Sequence, residues 1–229
     1  MAIVRTKVYS LSELSTWLQA NAVPGIFKSV EYASRTLTAT DSADNTVLEI
    51  TTGEPFVANG SFKAYRAASN YLGIDSILNF PSSSDSEIDC IACENGVLLK
   101  CKVDDSSENP KYFAALFTLT NNDKVAIIFT ASLKSTEAAC YTETIHHVAF
   151  GDDASIYSTT GFTPETGQQT NFCTFCTNAA ITNVSFTPKA FYMPMNSFYA
   201  SGICKFLSGG KLYISNGYWC IDTEQTEDE

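Results

Sequence analysis

The feature that most constrains this chain is a strand-turn-strand pattern that recurs from residue 29 to the C-terminus. Thr36 to Thr40 alternates with a period of two, Asp41-Ser-Ala-Asp-Asn45 is a polar turn, and Thr46 to Thr51 alternates again. Ile88 to Cys93 turns at Glu94-Asn95-Gly96 into Val97 to Val103, and Ala114 to Thr120 turns at Asn121-Asn122-Asp123 into Val125 to Thr130. A last group runs through Ile203 to Leu207, Ser208-Gly209-Gly210, Lys211 to Ser215, Asn216-Gly217 and Tyr218 to Ile221. Successive strand side chains point to opposite faces, so this period reads as half-buried strands joined by tight turns. Asn95-Gly96 and Asn216-Gly217 are expected to occupy turns, because Asn-Gly suits the positive φ of a two-residue hairpin loop. The pattern predicts a mainly β protein, with antiparallel hairpins in a sandwich or jelly-roll-like arrangement and one or two short helices near the N-terminus.

Two windows depart from that period. Ser10 and Glu13 have capping-box spacing, and Leu11, Leu14, Trp17 and Leu18 follow at helical intervals until Pro24-Gly25, which predicts a helix over 11–21 with Trp17 as its core anchor. Phe62, Tyr65, Ala68, Ser69 and Leu72 share helical spacing and predict a second helix over 62–72. With 229 residues, 45% of them hydrophobic, the chain is expected to form a single mainly-β unit around a sizeable core. The finer division is a small N-terminal subdomain, 1–80, joined by the polar connector 81–87.

The longest apolar runs, Tyr112 to Phe117 and Val125 to Phe129, fall far short of the roughly 20 residues of a membrane-spanning helix. The first twenty residues carry no signal-peptide core. The expectation is therefore no membrane partner and no export through a signal peptide. A formal net charge of -11 repels a phosphate backbone, so no nucleic-acid partner is expected either.

No Gly-x-Ser-x-Gly elbow, phosphate-binding P-loop or dinucleotide fingerprint is present, and no enzymatic activity or cofactor is expected. His146 and His147 are adjacent, so on a strand they face opposite ways and do not bind one metal together. The pairs Cys90-x-x-Cys93 and Cys173-x-x-Cys176 have the composition of a four-thiolate zinc site. Against it, 79 residues lie between Cys93 and Cys173, and a regular strand would point Cys90 and Cys93 to opposite faces. Buried free cysteines are the favoured reading, with a Cys-ligated zinc protein as an alternative.

Aromatic residues crowd the last third. Buried, they are the core of a β fold; exposed, they form a subunit interface or a platform for sugar rings. Tyr192, Met193, Met195, Phe198, Tyr199, Tyr218 and Trp219 are the interface candidates. The closing run Lys205-Phe-Leu-Ser-Gly-Gly-Lys-Leu-Tyr-Ile-Ser-Asn-Gly-Tyr-Trp-Cys-Ile221, preceded by Phe191-Tyr-Met-Pro-Met195, resembles virion proteins of tailed bacteriophages from anaerobic gut hosts. The low charge and the Thr/Asn/Ser-rich turns are similar to tail, neck, head-decoration and fibre components.

The resemblance implies a structural protein that assembles with other copies or other virion proteins through β-rich, aromatic interfaces, located in the virion after assembly in the host cytoplasm. The alternative is a carbohydrate- or receptor-binding β module, with a glycan receptor as partner. Residues 222–229 form an acidic tail with no apolar side chain beyond the methyls of Thr223 and Thr226, and 151–171 is a Gly/Thr/Gln-rich loop. Both segments are expected to be ordered only by other chains, the tail by basic residues across an interface.

Overall fold

Strand β1 (Val4–Val8) enters helix α1 (Leu11–Ala22) through Ser10, whose extended backbone makes it the N-cap. The Ser10 hydroxyl accepts the Glu13 N–H at 3.2 Å, and the Glu13 carboxylate accepts the Tyr9 N–H at 2.7 Å. Two amides at the helix entrance are thereby satisfied. Leu11, Leu14, Leu18 and Ala22 form the buried stripe. Ser10→Ala is expected to lower stability by about 1 kcal/mol, read as a shift in the urea midpoint at unchanged slope.

The computed structural model describes residues 2–52, 60–66, 71–78, 87–104, 111–132, 145–150, 154–156, 172–176, 184–192, 204–216 and 219–226. After α1, strands β2 (Ser29–Ala33), β3 (Thr36–Thr40), β4 (Thr46–Thr51), β5 (Gly60–Arg66) and β6 (Tyr71–Leu78) make a five-stranded antiparallel sheet in sequence order. Val30, Leu37, Ala39, Leu48, Ile50, Phe62 and Ala64 are its buried face. Threonines 36, 38, 40 and 51 and Glu49 lie on the other.

The described residues of the window expected as a helix over 62–72 belong instead to two strands, β5 and β6. Phe62 and Ala64 satisfy a strand period as well as a helical one, and Phe62 lies opposite Ile50 of β4 with its ring in the core. Tyr65, on the outer face, donates its hydroxyl to Glu49 of β4. Cross-strand packing of this kind overrides local spacing.

The central sheet has six strands in the order β1, β7 (Ile88–Cys93), β8 (Gly96–Asp104), β9 (Lys111–Leu119), β10 (Val125–Ser132) and β11 (Ile145–Phe150). Over their described side chains, strands β7 to β10 are buried on both faces. Ile88, Cys90, Val97, Leu99, Ala115, Phe117 and Ile127 join α1 and the five-stranded sheet in one core. The alternate residues Ile91, Cys93, Leu98, Leu116 and Ile128 join a second core with Ala190, Ile214, Trp219 and Ile221. Phe117 centres the first core, with the ring of Phe27 edge-on at 5.5 Å and that of Phe62 stacked at 6.5 Å. The described parts of residues 2–66 share this core with β7 to β10, and β1 is stitched to β7 along its whole length.

Beyond the central sheet, β12 (Ala154–Ile156), β13 (Phe172–Cys176) and β14 (Val184–Thr187) form a three-stranded sheet. Strands β15 (Ala190–Tyr192), β16 (Cys204–Ser208), β17 (Lys211–Ser215) and β18 (Trp219–Thr226) form a four-stranded sheet in the order β15-β18-β17-β16. The architecture is mainly β, antiparallel and sandwich-like. No helix among the described residues is long and apolar enough to cross a membrane.

Turn chemistry follows the sequence closely in most hairpins. Gly209 and Gly210 take φ of 57° and 76° between β16 and β17. The Asp41–Asn45 and Thr120–Lys124 turns share one geometry: Asp44 and Asp123 sit at φ 65° and 56°, and the first side chain of each turn accepts the amides two and four residues on.

The β7–β8 turn differs from expectation. Its loop residues are Glu94 and Asn95, neither at positive φ, and Gly96 opens β8 opposite Cys93. Gly96 is required for close approach instead: a Cβ there would stand 2.6 Å from Ile221 Cδ1 and 2.9 Å from the Phe117 carbonyl oxygen. Of Asn216-Gly217, Asn216 is fully buried and exchanges hydrogen bonds with Trp219, while Gly217 lies outside the described residues.

Candidate functional site

The structure separates the first cysteine pair. Cys90 belongs to the first core and Cys93 to the second, so the thickness of the central sheet separates the two thiols. Burial pushes the Cys93 thiol up to about 11, and pushes those of Cys90 and Cys101 well above their ordinary value. These are protonated, packed thiols at neutral pH. Cys173 and Cys176 are carried by β13. His146 and His147 occupy consecutive positions of β11, opposite Thr130 and Phe129 of β10.

Of the aromatic candidates, Trp219 is 0% exposed in the second core and thus serves the interior of this chain rather than an interface. Tyr192 lies on β15 opposite Trp219. Met193, Met195, Phe198, Tyr199 and Tyr218 lie outside the described residues. Tyr213, not one of the interface candidates, is 2% exposed and stacks on Phe206 at 5.4 Å.

Burial, with lesser contributions from Asp222 and Cys220, pushes the Tyr213 phenol up to about 12. Its stabilising neutral form is fully present below pH 10, the ordinary value, and is lost as pH rises through about 12. Tyr213→Phe should therefore flatten the alkaline fall of the urea midpoint relative to the wild type over that window.

The acidic segment finds its basic partners within the chain. Residues 222–226 continue β18, with Asp222 and Thr223 buried. Lys211 pairs with Asp222 at 3.2 Å, and Lys189 pairs with Glu224. The Asp222 carbonyl accepts from Asn95 Nδ2 at 2.8 Å, and Thr223 Oγ1 donates to the Leu212 carbonyl at 2.7 Å. The expectation that only another chain orders this segment is corrected by lysines 22 residues apart in sequence that the β15–β18–β17 ladder brings to its two sides. Residues 227–229 lie outside the described residues, as do most of 151–171; the exception is β12.

Two of the strands that end sheets among the described residues lie beside exposed apolar side chains. Strand β1 ends the central sheet and β16 ends the C-terminal sheet, each with a strand partner on one side among the described residues. Among those residues, the large apolar side chains that stand exposed are Val4 at 36%, Tyr9 at 45% and Leu207 at 47%. Val4 lies on β1, Tyr9 follows it, and Leu207 lies on β16. By contrast, the β2 edge of the five-stranded sheet is flanked by α1, from which Gln19 Nε2 donates to the Val30 carbonyl at 2.6 Å.

Beside β1 runs a groove of about 490 Å³, walled by Thr6, Lys7 and Val8 on one side and by Ser12, Glu13, Thr16, Trp17 and Ala20 of α1 on the other. Trp17, expected as a core anchor, packs against the first core but is only half-buried, and its indole Nε1 is buried with no hydrogen-bond partner among the described residues. Arg5 grips Asp89 through Nε at 3.2 Å and Nη2 at 2.7 Å, and Lys7, which also lines the groove, pairs with Glu87. The Glu87 carboxylate beside it raises the Lys7 pKa, so this ammonium stays charged.

The sequence reading did not single out Val4, Tyr9 or Leu207. The period-two run Val4-Arg5-Thr6-Lys7-Val8 carried the strand signal, but which strands end a sheet depends on pairing across the whole chain. Comparison with protein-family models, with curated proteins and with solved structures found no match. The functional reading therefore rests on the residues and geometry of the chain itself.

Proposed function

We propose that the protein is a structural component of a tailed-bacteriophage virion, acting by assembling with other copies or other virion proteins through its β-rich surface. The observation that supports this best is that strands ending sheets among the described residues carry or adjoin exposed apolar side chains. Unpaired strand edges are templates for another chain, and soluble monomers blunt them with charge, proline or a covering helix. Here α1 flanks β2, whereas β1 and β16, besides the charges of Arg5, Lys7 and Lys205, carry or adjoin the exposed Val4, Tyr9 and Leu207. The virion setting rests on the resemblance of the closing hairpins, Lys205 to Ile221, to tailed-bacteriophage proteins.

Light scattering with in-line chromatography tests the assembly reading. A mass that is a multiple of 24.9 kDa and grows with concentration is expected, with rings, tubes or fibres in negative-stain micrographs. A single species of 24.9 kDa at millimolar concentration overturns self-assembly.

A further inference from the structure

We propose that the groove between β1 and α1 is a binding site for a neutral oligosaccharide, one ring of which stacks on the Trp17 indole while its hydroxyls bond to Glu13 and Thr16. Binding here is independent of assembly, because the residues that wall the groove all lie in β1 and α1 of one chain.

Trp17 departs from the pattern of its helix. Leu11, Leu14, Leu18 and Ala22 are buried, and so is the other tryptophan of the chain, Trp219, whereas Trp17 is half-buried on the groove wall. Packed against the first core, the indole is a rigid apolar platform of the kind that stacks on the apolar face of a sugar ring. No hydrogen bond anchors it: Nε1 is buried without an acceptor among the described residues. A small tilt of the ring hands this donor to a ligand oxygen without breaking a bond.

The rest of the wall suits hydroxyls better than charge. Glu13 and Lys7 offset one another, the Lys7 ammonium is held by Glu87, and a chain of net charge -11 draws no anion to such a site. An apolar ligand would strip water from the Glu13 carboxylate and put nothing in its place. Glu13 Oε2 accepts the Tyr9 amide, which leaves Oε1 to accept from a sugar hydroxyl. The Thr16 hydroxyl donates to the Ser12 carbonyl at 3.0 Å, so its lone pairs serve as acceptors.

Ser12, Thr16 and Ala20 recur every four residues and give the groove a helical wall about 12 Å long, which an extended run of sugar rings can follow. Its volume of about 490 Å³ is that of a small-ligand site. A second cavity of about 450 Å³, walled by residues that include Lys28, Asp41 and Lys124, has no aromatic side chain and so no platform.

Isothermal titration calorimetry with the hexasaccharides of glucose, mannose, galactose and N-acetylglucosamine tests the site, with sialyllactose as the anionic control. At least one neutral sugar should bind with micromolar to millimolar affinity, insensitive to salt. Trp17→Ala should weaken it about tenfold or more, and Thr16→Val about 2- to 10-fold. Lys124→Ala, in the second cavity, should leave it unchanged. Because Trp219 is fully buried, acrylamide quenches Trp17 emission selectively, and bound sugar should shield that emission in step with the heat released. Circular dichroism checks the fold of each variant. If Trp17→Ala does not fold, the exposed Thr16→Val and the quenching of wild type decide.

No heat from any of the four neutral hexasaccharides at millimolar concentration overturns the proposal. Binding that neither shields Trp17 nor weakens in Thr16→Val lies elsewhere and overturns the site. Tighter, salt-sensitive binding of sialyllactose overturns the neutral class. A monomeric wild type overturns the assembly reading alone and leaves this site standing.

Discussion

Trp219→Ala is expected to cost about 3–5 kcal/mol, the range for emptying a fully buried large aromatic site. Trp219 is among the largest fully buried side chains and lies between the central sheet and the C-terminal sheet, against a cluster that includes Ile91, Leu98, Leu116 and Ile214. The neighbours are held in strands and cannot collapse into the space. Urea titration followed by circular dichroism measures the loss, and hydrogen exchange should show β15 to β18 opening before β7 to β10. A loss under about 1 kcal/mol would mean that the second core contributes little and that the C-terminal sheet is held elsewhere.

The buried polar contacts next to it sharpen that test. Asn216 Nδ2 donates to the Leu99 carbonyl at 3.1 Å and to the Ala115 carbonyl at 3.3 Å, and Asn216 Oδ1 accepts the Trp219 amide at 3.0 Å. This side chain ties the C-terminal sheet to β8 and β9 of the central sheet. Such bonds fix how the two layers register, whereas Trp219 supplies apolar burial with little directional preference.

Gly96→Ala is the second large effect, expected at about 1–3 kcal/mol from overpacking alone. The added methyl would meet two different neighbours. Ile221 Cδ1 at 2.6 Å is the end of a side chain that can rotate, whereas the Phe117 carbonyl at 2.9 Å belongs to β9 and moves only with the strand. Ile221→Val removes the first contact and leaves the second. The double variant should therefore recover part of the loss measured for Gly96→Ala and not all of it, a coupling that a four-state thermodynamic cycle reads directly. Full recovery would show that only the Ile221 contact matters, and a neutral Gly96→Ala would show that the two sheets do not approach this closely.

Particular residues show why some of the structure was legible in the sequence. The helix was, because Ser10, Glu13 and the leucines after them act within a few residues of one another. So were the Asp41–Asn45, Asn121–Asp123 and Gly209–Gly210 turns, where side-chain capping or freedom at positive φ acts inside the turn. Ser34 and Arg35 form a two-residue turn at φ 51° and 66° without glycine or asparagine, and there local chemistry carried no signal. Over 62–72, spacing that fits a helix also accommodated Phe62 and Ala64 on one strand face, and contacts to β4 decided for the strand. The continuous apolar runs of β9 and β10 reflected burial on both faces, but only the second core showed what covers the other side.

The candidate surface divides in the same way. By itself the sequence determined the first helix, the side-chain-capped turns and most of the strands, though not the state of 62–72, because those choices depend on dihedral preferences and hydrogen bonds closed over a few residues. Tertiary structure decided that Trp219 is interior, that Gly96 serves close approach, that Asp222 and Glu224 meet Lys211 and Lys189, and that β1 and β16 end their sheets among the described residues. Each of those depends on partners distant in the chain, as when Asn95 meets Asp222, 127 residues away, or Asn216 meets Leu99, 117 residues away. Burial and charge pairing act on whatever the fold brings within a few ångströms, and no local propensity encodes that proximity.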